Sequence, residues 1–211
     1  MPCDHKFIDY LNLENIDFIP TTLIVGTFNP SWPAGNNASW FYGRIRNNYF
    51  WDVLPRLYNP LLNLRQPPAT HVDWKIFCSN NHIALTDIIR CIDDADENNE
   101  EHGAILAGYD DQAIANNFHF TFTDIVGLLE QNPTIRNVYL TRQPGIDLYD
   151  EQWALVEQYR DNIDPGLHVR NLLTPSANAR FQIGPFNLAN PGIQQPLRNF
   201  IFWSWQQQWH F

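Results

Sequence analysis

The stretch TTLIVGTFNP at residues 21–30 decides how the rest of the chain is read. Its apolar run Leu23-Ile24-Val25 suits a strand covered on both faces, and Gly26 and Pro30 punctuate a sharp loop after it. Three further stretches carry the same signal. HIALTDIIRC at 82–91 predicts a strand whose carboxyl end falls near Thr86 or Asp87; NVYLT at 137–141 predicts a third, and LHVRNLL at 167–173 a fourth. Helical patterns lie between and after them. Residues 47–58 predict a helix with an Asn cap and an interruption at Pro55, residues 122–131 one capped by Thr123, and residues 150–161 and 197–211 two more. Residues 31–42 and the acidic run 93–102 read as loops. Strands alternating with helices imply an α/β protein, a three-layer α/β/α sandwich on a mostly parallel four-stranded central sheet. Ligands of such sheets bind at the carboxyl ends of the strands, where the polar and glycine-bearing motifs of this chain fall. Neither a repeat nor a linker divides residues 1–211, so one domain is expected.

Composition narrows the class. Charged residues make up 17% of the 211 and aromatic residues 14%, a globular balance rather than a disordered one. Without a run of 18 apolar residues no membrane span is expected, and the first 18 residues lack the apolar core of a signal peptide. Cys3, Cys78 and Cys91 are too few for a thiolate-held iron–sulfur cluster and read as reduced thiols of a cytoplasmic protein. The seven histidines show no metal spacing, so neither metal nor cofactor is expected. A net charge of −10 argues against a nucleic-acid partner, but its distribution does not. Residues 87–164 hold 17 acids against four arginines. Residues 18–72 hold four arginines against Asp52, and residues 165–211 hold three arginines and no acid.

Four segments resemble, in order, the signature blocks of the uracil-DNA glycosylase superfamily, most of all its hypoxanthine-DNA glycosylase branch. They are LIVGTFNPS (23–31), WFYGRIRNNYFW (40–51), NHIALTDIIRC (81–91) and LLTPSANAR (172–180). Where the relatives have Gly-x-Asn-Pro the first has Gly26-Thr27-Phe28-Asn29-Pro30, with one residue extra or the glycine moved, and His82 and Thr86 stand where the third block usually has Gly and Trp. The resemblance implies a base-flipping DNA glycosylase. It implies a catalytic asparagine at Asn48, a base-reading side chain at Asp87, and a fourth block that enters DNA.

The residues fit that chemistry. N-glycosidic cleavage passes through an oxocarbenium-like sugar, needs a held water, and releases the base as an anion that hydrogen bonds must stabilise. Asn29 follows a strand end and can accept from water while donating to a neighbour; its other reading is an Asn-Pro turn. Asn48 is equally a helix cap. Phe41 and Tyr42, with Phe28, are candidates for stacking on an extruded base, or for the core. The Asp87 carboxylate accepts only, so it would select an N–H such as uracil N3 or hypoxanthine N1; it could also cap a helix over 88–91. Arg44, Arg46, Thr174, Ser176, Asn178 and Arg180 are the candidate phosphate contacts, with Ala177 and Asn178 small for a wedge. Neither lysine, Lys6 nor Lys75, falls in a motif, so Schiff-base lyase chemistry is not expected. The expected protein is a monomeric, monofunctional glycosylase acting on DNA with a deaminated base. A glycosylase-fold binding protein and a nucleoside hydrolase are the alternatives.

Overall fold

A computed structural model describes residues 1–32, 38–67 and 69–211; the loop expected over 31–42 falls partly outside these, at 33–37. In chain order the strands are β1 (Cys3–Asp4), β2 (Thr22–Gly26), β3 (Ile83–Asp87), β4 (Ile89–Ile92), β5 (Phe120–Phe122), β6 (Asn137–Leu140) and β7 (His168–Asn171). The helices are α1 (Ile8–Leu11), α2 (Phe50–Tyr58), α3 (His71–Asn80), α4 (Glu100–Gly108), α5 (Asp111–Asn117), α6 (Ile125–Gln131), α7 (Asp147–Asn162), α8 (Gly184–Ala189) and α9 (Pro196–Gln206), with a 3₁₀ turn at Ala177–Gln182.

The four expected strands form one parallel sheet in the order β3-β2-β6-β7. Every residue of β2 and of β3 is buried. Alternation along β2 sends Leu23 and Val25 into a core with α6 and α7, and Ile24 into a second core with α2, α3 and α9. Each such side chain contributes about 1.5–3 kcal/mol on burial, and both faces need one, which is why the run reads as continuously apolar. The chain is therefore a three-layer α/β/α sandwich.

Some local expectations are corrected. HIALTDIIRC holds two strands, not one. The chain turns at Ile88, whose N–H donates to the Gly26 carbonyl (3.0 Å). β4 then joins β1 and β5 in a small antiparallel sheet of order β1-β4-β5. Asp87 consequently ends a strand and caps no helix. The cap of α6 is Asp124, which accepts from Gly127 N–H, not Thr123, whose buried hydroxyl has no partner among the described residues. Part of the acidic run 93–102 is helical: Asn99 caps α4, accepting from the Glu101 and His102 N–H groups. Pro55 does not interrupt α2. The Trp51 carbonyl, which the missing proline N–H leaves unmet, accepts instead from Leu64 N–H at 2.9 Å.

One ion pair fastens α2 to α9. Asp52, 1% exposed, accepts from Arg198 Nη2 at 2.8 Å, and Arg198 Nε meets its other oxygen. Replacing Arg198 with Met strands a buried carboxylate, and unfolding in urea should show a loss of about 3 kcal/mol. Unchanged stability would mean that water reaches Asp52 in solution.

Candidate functional site

The carboxyl ends of β2, β3, β6 and β7 converge on a cleft of about 360 Å³. Asp87, the last residue of β3, is 1% exposed and lies level with Gly26, the last residue of β2. Its Oδ2 accepts from His5 Nε2 (2.7 Å) and from Asn29 Nδ2 (2.9 Å). His5 is equally buried, and its Nδ1 accepts from Phe7 N–H (3.0 Å). That second bond assigns the ring proton to Nε2, so a neutral imidazole satisfies both contacts. Asn29 thereby has its amide nitrogen committed, while its Oδ1 has no partner among the described residues.

Gly26 makes room for this arrangement. A Cβ there would lie 2.2 Å from Asp87 Oδ1 and 2.8 Å from the Tyr42 hydroxyl. Tyr42, at φ 56°, stacks its ring on Phe50 with centroids 3.7 Å apart, and its hydroxyl is bonded to Thr141 Oγ1 (2.9 Å). Burial first, and the nearby Asp87 carboxylate second, push the phenol well above its ordinary value of 10.0. Phe28 lines the cleft and packs edge-on to His5. Phe41 does not line it. With 0% exposure it lies among His5, Phe7 and Trp40, so core packing accounts for it.

Asn48 lines the cleft opposite in chemistry to Asn29. Its Oδ1 accepts from Phe50 N–H (2.8 Å), a cap-like bond that leaves Nδ2 without a partner among the described residues. Its backbone pairs with Ser176, and Tyr49 N–H donates to the Pro175 carbonyl (2.7 Å). The second and fourth sequence blocks are thus stitched together. In the fourth block the Thr174 hydroxyl donates to Ser176 Oγ (3.0 Å), which in turn caps the 3₁₀ turn at Asn178 N–H. Thr174, Ser176 and Asn178 line the cleft, whereas Arg46 and Arg180 are exposed outside it. Arg44 lines it, its guanidinium 3.1 Å from the Tyr109 ring centroid; burial lowers its pKa.

Sequence reasoning missed four contributors. His5 lies 82 residues from its partner and carries no motif. Asp111 at the start of α5 and Arg142 after β6 form an ion pair (3.2 Å) on the cleft wall. Burial, opposed by that arginine, raises the Asp111 carboxyl above its ordinary value of 3.8. Phe181, 76% exposed beside the same cleft, is the large apolar side chain that the fourth block itself lacks. Only Phe181 left a signal, an aromatic residue directly after that block. Among the described residues no cluster of three or more His, Cys, Asp or Glu side chains could hold a metal, and no helix is long and apolar enough to cross a membrane.

No protein-family model and no curated protein matches the chain. A solved structure does: the solution NMR structure of a "putative Uracil DNA glycosylase" from Methanosarcina acetivorans. The two superpose with a TM-score of 0.51 at 15% identity, over 92% of this chain and 94% of that one. The chain shares that protein's fold.

Replacing Gly26 with Ala should push the Asp87 carboxylate off its partners. The His5 ring resonances should move in NMR spectra, and thermal stability should fall. An unmoved His5 signal would show that the carboxylate can sidestep a methyl group.

Proposed function

We propose that the chain is a monofunctional DNA glycosylase that flips a deaminated base, uracil or hypoxanthine, into this cleft and hydrolyses its N-glycosidic bond. The observation that carries the reading is the pair of asparagines. Asn29 offers an uncommitted amide oxygen and Asn48 an uncommitted amide nitrogen, on one cleft, each held by a bond through its other end. An acceptor and a donor of that kind can hold a water without deprotonating it. A weak base suffices when departure of the base leads the reaction. As the C1′–N bond breaks, its electron pair leaves with the base; the water oxygen bonds to C1′, and its proton passes to a nearby acceptor. Asp111 is the carboxylate of the cleft suited to take it, since burial raises its pKa and makes it a stronger base than an ordinary carboxylate. Asp87, spent on His5 and Asn29, acts by positioning Asn29, and its remaining oxygen is the one free to read a base N–H.

The fold neighbour and the resemblance of the sequence blocks support this reading, and so do the basic segments that bear three of the four blocks. The chain is proposed to act as a monomer without a cofactor, on DNA gripped by Arg44 and the fourth block, with Phe181 filling the vacated stack. A glycosylase-fold binding protein is the second reading, favoured by the two carboxylates in the cleft and the charge of −10.

Base release from oligonucleotides carrying one uracil, hypoxanthine or xanthine decides between them. Cleavage is expected for at least one, and none at any pH or low salt would falsify the enzymatic reading. In an active enzyme, Asn29→Ala and Asn48→Ala should each slow single-turnover release by about 10²–10³-fold, with DNA affinity changed far less. Activity should also fall on the acid side as a carboxylate protonates, at a pH above the ordinary 3.8 because the Asp111 value is raised. Asp111→Asn should remove that limb; if the limb persists, the proton goes elsewhere.

A further inference from the structure

A second cavity of about 360 Å³ opens on the other side of β3, away from the strand carboxyl ends, and shares no lining residue with the cleft. Its walls are aromatic and aliphatic: Tyr10, Phe18, Trp40, Ile16, Ile83 and Leu85. That volume lies within the range of small-molecule sites, roughly 300–1,000 Å³, and such sites pair an apolar lining with a few placed polar groups.

Here the polar groups are donors. Lys75 Nζ donates to the Tyr10 hydroxyl (2.8 Å) and rests over the rings of Trp40 (4.3 Å to the centroid) and Tyr10 (4.6 Å). It is half-buried and makes no ion pair among the described residues, so two of its three N–H bonds are uncommitted. Trp40 is 6% exposed, and its buried indole N–H has no acceptor among the described residues. The protein's own ammonium already occupies the two aromatic faces, so a cationic ligand has no place there. Of the remaining polar lining, Ser79 is half-buried and uncharged, whereas Asp17, Asn15 and Asn80 are exposed, and Asp17 opposes an anion only across solvent.

We propose that this cavity binds a small apolar carboxylic acid, its chain among the aromatic and aliphatic side chains and its carboxylate on Lys75 Nζ. The site is independent of the glycosylase reading. It gives a role to a lysine that the reaction does not use.

Calorimetric titration of the full chain with octanoate, and with octanol as its uncharged counterpart, tests it. Octanoate should bind at least ten-fold tighter than octanol and should shift one indole N–H resonance, assigned to Trp40 by its loss in Trp40→Phe. Lys75→Met should weaken octanoate at least ten-fold, about 1.4 kcal/mol, and leave octanol unchanged. Asp17→Asn, on the exposed rim, should tighten octanoate without unfolding the chain. Equal binding of acid and alcohol, no binding of either, or full octanoate affinity in a folded Lys75→Met chain would each overturn the proposal. Should Trp40→Phe not fold, the Lys75→Met and Asp17→Asn titrations still decide the outcome.

Discussion

The buried Asp87 carboxylate is the constraint around which the cleft is arranged. A charge taken out of water at the buried end of a strand is tolerated only with donors on it, and here His5 and Asn29 supply them. Three demands follow from that one group. The amino-terminal segment must cross to the sheet end to deliver His5, as it does by pairing β1 with β4. The loop after β2 must fold back so that Asn29 reaches the same oxygen. The neighbouring strand must end in a residue without a side chain, because Gly26 faces Asp87 Oδ1 and the Tyr42 hydroxyl at distances no Cβ allows.

The rest of the fold concentrates polar chemistry at this edge by leaving it nowhere else to go. Both faces of the sheet are covered, one by α6 and α7 and the other by α2, α3 and α9. Strand ends are then the places where backbone and side-chain polar groups meet solvent next to rigid elements. The acidic middle of the chain enters the same place. Its helices α4 and α5 bring Tyr109 and Asp111 against Arg44 and Arg142, so the acid-rich part of the chain supplies one wall of the cleft. Arg44 and Arg142 stand in that wall beside its acids, so the net value of −10 for the whole chain is a poor guide to what the cleft attracts.

What could be read in advance followed from local rules. β2, β3 and β6 were legible because strands covered on both faces are mostly apolar, and β7, an edge strand with only Val169 buried, was legible from the apolar residues that flank it at Leu167, Leu172 and Leu173; the positions of Asn29, Asn48, Asp87 and Thr174 at strand or loop ends followed from those strands. Roles were less legible than positions. Phe41 and Tyr42 are adjacent and chemically alike, yet the positive φ of Tyr42 turns its hydroxyl to Thr141 at the cleft while Phe41 is sealed among aromatic rings. The small antiparallel sheet escaped notice because its strands are two to four residues long, too short for a period to declare itself.

The sequence by itself determined the class of fold, the parallel sheet and the edge at which its chemistry lies, because burial on two faces leaves a pattern in consecutive residues. Only the tertiary structure decided which side chains share that edge. His5 joins Asp87 across 82 positions, and Asp111 joins Arg142 across 31. Such contacts are set by how helices and strands cross in space, and spacing along the chain carries no trace of them. The same holds for the cavity beside β3, where Lys75 meets Tyr10 across 65 positions. A lysine outside every motif acquires a defined surrounding only once α1 and α3 have packed.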